Sequence, residues 1–96
     1  MILHLVFFKL VPEVDEAKLE EIIQTTRTQL AAISTVQSVQ AGRNVEPDDE
    51  WPFFLSVTLD SMEALSAYRV DPLHVHYLET VIKPFTCDRK ALDFEI

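Results

Sequence analysis

The chain has 96 residues, with 8 Lys and Arg against 16 Asp and Glu, a net charge of −8, and 48% of its residues are apolar. That length suits a single domain spanning residues 1–96, and the acidity disfavours nucleic acid and anionic membrane surfaces as partners. One cysteine, Cys87, leaves no internal disulfide to form and fits a reducing, cytoplasmic setting, and no segment reads as a signal peptide or approaches the ~18 apolar residues of a membrane span.

A chain this short buries only about two-thirds of the surface it exposes when unfolded. So much apolar material in so thin a core predicts that a second copy covers part of it. Residues 2–11 read as a strand with His4, Val6, Phe8 and Leu10 on one face and Leu3, Leu5, Phe7 and Lys9 on the other. Both faces are apolar, as in a central strand covered on both sides. A charge at Val6 or Phe8 is therefore expected to break the dimer or prevent folding. Pro12 ends the strand. Asp15 is placed to cap a helix over about 16–33, whose stripe is Leu19, Ile22, Ile23, Thr26, Leu30 and Ile33.

Residues 35–43 alternate weakly and suit a half-exposed strand, with the sole glycine, Gly42, predicting a special backbone conformation near its end. A loop rich in acids and prolines, Asn44–Pro52, leads to a third strand at 53–59, with Phe53, Leu55, Val57 and Leu59 on one face. Asp60 and Glu63 resemble a capping box for a short helix carrying Met62, Leu65 and Tyr68. Asp71 and Pro72 restart the pattern as a second short helix, Leu73–Ile82. Pro84 stops it, and residues 86–96 close the chain as a strand with Leu92, Phe94 and Ile96 on one face.

The order β-α-β-β-α-β predicts an α+β, ferredoxin-like domain in which two helices cover one face of a four-stranded antiparallel sheet. The other face is too apolar to meet water, so two sheets are expected to pair into a homodimeric α/β barrel.

Four stretches resemble the stress-responsive dimeric α/β-barrel (A/B barrel) domain family. They are the H-x-V-x-F-K spacing of His4–Lys9, AGRN at Ala41–Asn44, SMEALSAYRVDPLHVHYL at Ser61–Leu78 with its Tyr–x–x–x–Pro–x–His core, and IKPF at Ile82–Phe85 with the ending DFEI. The resemblance spans nearly the whole chain and implies the barrel fold and the homodimer. Most members have no established activity. A few resemble plant polyketide cyclases, in which a histidine and a tyrosine promote an intramolecular aldol condensation; these match His74 and Tyr68, and a histidine on the first strand matches His4. Where those cyclases place a further histidine, this chain has Phe53.

His4, Tyr68 and His74 are thus the candidate catalytic residues. Histidine titrates near pH 6.5 and can carry protons either way, and a phenol can donate to a developing oxyanion. The plainer alternatives are a core histidine satisfied by the backbone or a tyrosine, and a tyrosine packed over the barrel mouth. His76 reads as an exposed bystander. The H-x-H spacing on a helix is poor for a metal, so neither a metal nor another cofactor is expected. Two functions remain open. One is a small cofactor-free enzyme (cyclase, isomerase or lyase) acting on an apolar carbonyl compound. The other is a non-catalytic dimeric ligand-binding or stress-response module. A cavity shared by His74 and Tyr68 would separate them.

Overall fold

The expected element order is present in the computed structural model, which describes residues Met1–Ile96. Strand β1 (Ile2–Leu10) is followed by α1 (Glu16–Ala31), β2 (Ser38–Arg43), β3 (Phe53–Leu59), α2 (Met62–Val70), α3 (Pro72–Tyr77) and β4 (Thr86–Glu95). The strands form one antiparallel sheet in the order β2-β3-β1-β4, with β1 and β3 at its centre. No helix is long and apolar enough to cross a membrane.

The register explains which face of β1 the helices cover. His4 lies opposite Val57, Val6 opposite Leu55 and Phe8 opposite Phe53, and these residues share the helix-covered face. Val6 is only 4% exposed and Phe8 only 2%. Leu3, Leu5 and Phe7 point the other way, where they stay half-exposed with Phe54 and Leu92. Val6 and Phe8 therefore belong to the protomer's own core. A charge there stops folding, and it is Leu5 and Phe7 that test the open face.

Helix α1 lays Leu19, Ile22, Ile23, Thr26 and Leu30 against the sheet, and its N-cap Asp15 accepts a hydrogen bond from the Lys18 amide at 2.8 Å. The cap of α2 is Ser61 rather than Asp60: its hydroxyl accepts from the Ala64 amide at 3.1 Å. Asp71 closes α2 and caps α3, accepting from the Leu73 amide at 2.8 Å, with Pro72 opening the new helix. The second half of the sequence-predicted helix 73–82 is not α-helical. Residues Leu78–Ile82 form a π turn, closed by the Lys83 amide on the Leu78 carbonyl at 2.8 Å. Such turns displace a helix face by a fraction of a turn and recur at functional sites.

Gly42 differs from expectation. No glycine adopts a positive φ. The reason for glycine is steric: a Cβ there would stand 3.1 Å from the Phe54 ring, which lies across it on the open face.

Candidate active site

Strand β1 presents His4 on the helix-covered face, and β4 brings Asp93 directly opposite it. His4 Nδ1 lies 2.5 Å from Asp93 Oδ1. A carboxylate only accepts, so Nδ1 carries the hydrogen, and in the neutral ring Nε2 is the acceptor. The other carboxylate oxygen, Asp93 Oδ2, accepts from Arg69 Nη2 at 3.4 Å, a longer and weaker contact.

The break between α2 and α3 brings the other two predicted residues to the same place. Tyr68, in the last turn of α2, is only 1% exposed. His74 lies in α3, and its ring is tilted against that of Tyr68 with centroids 4.2 Å apart, while His4 approaches Tyr68 edge-on at 6.0 Å. The Arg69 carbonyl accepts from His74 Nδ1 at 3.2 Å, which again leaves Nε2 as the acceptor. Arg69 thus touches both histidines' supports: its side chain holds Asp93, and its carbonyl holds His74.

Burial sets the protonation states. It holds the His74 imidazole below the ordinary histidine value, opposed by the Arg69 carbonyl and reinforced by the nearby His4 and Arg89. At neutral pH this ring is a neutral base. Burial also pushes the Tyr68 phenol well above its usual range, so it stays an O–H donor. That hydroxyl makes no hydrogen bond within the protein, in contrast to Tyr77, whose hydroxyl is 2.7 Å from Thr26 Oγ1. An unpaired donor beside two imidazoles is free for a bound oxygen.

His4, Tyr68 and His74 line one cavity of about 250 Å³, together with Phe8, Leu55, Arg69, Arg89 and Ala91 among others. The three predicted residues therefore converge. His76 is exposed and outside this cavity. Phe53 is fully buried and stacks on Phe8, with centroids 5.4 Å apart, so it adds packing and no proton acceptor. Asp93 is the residue that reading the sequence missed. The signal was present in DFEI: Asp93 alternates with Leu92 and Phe94, and only the β1–β4 register shows that its face is that of His4. No three His, Cys, Asp or Glu side chains gather in a way that would hold a metal ion.

A larger cavity of about 380 Å³ lies beside the first, lined by Leu78, Ile82, Lys83, Thr86, Cys87, Asp88 and Arg89. It holds no paired proton carriers, so the smaller cavity is the better candidate for chemistry.

Comparison with known proteins agrees with the fold. A dabb family protein with a ferredoxin-like fold from Mesorhizobium loti is 21% identical, covering 99% of this chain and 95% of its own, with a TM-score of 0.85. A dimeric ferredoxin-like protein of unknown function from Thermobifida fusca is 25% identical, covering 99% and 90%, with a TM-score of 0.85. The hydroxynitrile lyase from Passiflora edulis shares the fold at 14% identity, covering 99% and 92%, with a TM-score of 0.84. No curated protein matches the sequence. The family described as the stress responsive A/B barrel domain matches residues 2–96, so the chain belongs to that family.

Proposed function

We propose that this protein is a small cofactor-free enzyme that moves protons on a small apolar carbonyl compound, and that it works as a homodimer. The observation that supports the chemistry most is the Asp93–His4–Tyr68–His74 constellation around one cavity. Two imidazoles offer Nε2 lone pairs, and one phenol offers an O–H to an oxygen that becomes negative. A base plus an oxyanion donor is the toolkit for removing a proton next to a carbonyl, or from the hydroxyl of an adduct that collapses to one. Isomerase, lyase and cyclase steps all use it. The fold-mate from Passiflora edulis is a hydroxynitrile lyase, which makes adduct collapse a reaction to test here. The cavity is smaller than the ~300–1,000 Å³ usual for drug-sized ligands, which favours a small substrate. Phe8, Leu55 and Ala91 in its wall favour an apolar one.

Dimerisation is supported by the half-exposed Leu3, Leu5, Phe7, Phe54 and Leu92 on the helix-free face, and by relatives described as dimeric. Apolar sheet faces of this kind rarely face water.

The test is deuterium uptake at the α-carbon of small ketones such as acetophenone in D₂O, run beside cleavage of mandelonitrile. The parent should accelerate one of these over buffer, and His4→Ala should lower that rate by about 10²-fold, the size of one general-base contribution. A parent that accelerates neither reaction, yet binds these compounds in the cavity, would replace the enzyme with a ligand-binding module.

A further inference from the structure

Most of the chain's eight lysines and arginines are committed to partners. Arg69 is held by Asp93, Lys83 by Glu79, Lys18 by Glu21, and Arg43 by Glu16 and Glu20. Lys9 faces Glu50 and Asp88, and Arg27 donates to the Ala41 carbonyl. Two cations remain with neither a side-chain nor a backbone partner, Arg89 and Lys90. The register separates them. Lys90 pairs with Phe7 on the open face, whereas Arg89 pairs with Phe8 on the helix-covered face. Arg89 lines the cavity that holds His4, Tyr68 and His74, and it also lines the larger cavity next to it; Leu78, the first residue of the π turn, is the other residue common to both walls.

In a chain with a net charge of −8, Arg89 stands exposed and unpaired at the junction of two cavities. A guanidinium presents a planar fork of donors suited to a carboxylate. We infer that Arg89 selects substrates that carry a carboxylate near the reacting carbonyl, small apolar oxo acids, with the carbonyl at Tyr68 and the apolar remainder extending past Leu78 into the larger cavity. Asp88 touches the larger cavity only, and its carboxylate turns to Lys9, its partner across the β1–β4 ladder. On its His74 side Arg89 meets no free carboxylate, since Asp93 is held by His4 and Arg69, and that side is the place for the substrate's carboxylate. Cys87 takes no part; it is exposed, with its thiol 3.7 Å from the Leu10 carbonyl.

This inference rests on the carbonyl-site reading above, and the probes separate the two. Benzoylformate has a carboxylate beside its carbonyl and no α-hydrogen, so it reports binding without turnover. Benzoylformamide is its neutral counterpart of nearly the same shape. Titration of the ¹⁵N-labelled protein should shift the amides of His4, Leu78, Arg89 and Ala91, with benzoylformate binding about fivefold tighter, the scale of an exposed charge pair. Arg89→Gln should abolish that preference, Arg89→Lys should keep part of it, and Lys90→Gln should leave it whole. The preference should also shrink as salt rises. Equal binding of the two probes, or a preference that survives Arg89→Gln, overturns the role of Arg89 while leaving the carbonyl site standing. If neither probe shifts the cavity residues, both readings fall.

Discussion

Two tyrosines fill the same core and are held differently: the Tyr77 hydroxyl is paired and the Tyr68 hydroxyl is not. Tyr77 shares a 2.7 Å hydrogen bond with Thr26, which also donates to the Ile22 carbonyl. Tyr77→Phe should therefore cost about 1 kcal/mol in chemical denaturation. The Tyr68 hydroxyl has no such partner, so Tyr68→Phe should unfold at the same denaturant concentration as the parent while its turnover falls. A matching stability loss in both variants would mean that the Tyr68 hydroxyl is structural. His74 gives a second residue-scale prediction, from pH. Its folded value lies below the ordinary 6.5 because of burial. The unfolded chain then takes up its proton first as pH falls, so stability from this residue is intact above about pH 6.5 and declines as pH drops toward the folded value. His74→Ala should flatten that part of the stability–pH curve, with a small loss of midpoint at pH 8. Rate should follow the same sense, rising with pH through a value below 6.5, since only the neutral ring is a base. Much of this was legible in the sequence, because Tyr68 and His74 flank a Pro that has to break the helix. Asp93 was not, because a half-exposed aspartate on an edge strand gains meaning only from the residue opposite.

At the scale of elements, β4 and the end of α2 matter most, because they carry the supports of the two histidines. Asp93 holds the His4 ring at Nδ1. Asp93→Asn should keep the fold, since the carboxylate is partly solvated, yet free the His4 ring to adopt either tautomer. Rate should drop and the pH–rate profile should change shape, whereas a purely structural Asp93 would lower stability and leave the profile alone. The element boundaries were mostly readable from caps and prolines. Asp15, Asp71 and Pro72 act where the sequence places them. The transfer of the α2 cap from Asp60 to Ser61 is a one-residue change between two good capping residues. The π turn at Leu78–Ile82 could not be read, because an i to i+5 bond reflects how Tyr77, Val81 and Ile82 bury together rather than any local spacing. Gly42 was misread for a related reason: the demand on it comes from the Phe54 ring across the sheet.

For the whole molecule, the prediction with the widest reach is assembly. Sedimentation at micromolar concentration should show a dimer, and Phe7→Asp should yield a folded monomer, whereas Phe8→Asp should yield no folded protein. A parent that sediments as a monomer of 11.0 kDa would mean that the open face is stable in water. The sequence could place apolar residues on both faces of β1 but could not say which face the protomer covers itself, since a period of two is symmetric between them. That same alternation has a consequence for how the gene can change. Within β1, His4 serves the cavity while its neighbours Leu3 and Leu5 serve the outer surface. Deleting Val6, or inserting one codon between Leu5 and Phe7, leaves His4 facing inward but turns the rest of the strand over, sending Phe7 into the core and Phe8 out of it. Substitutions can thus alter the cavity and the outer face separately, but a single-residue register slip in this strand exposes one hydrophobic surface as it buries the other, and such variants should be absent from any library selected for soluble expression.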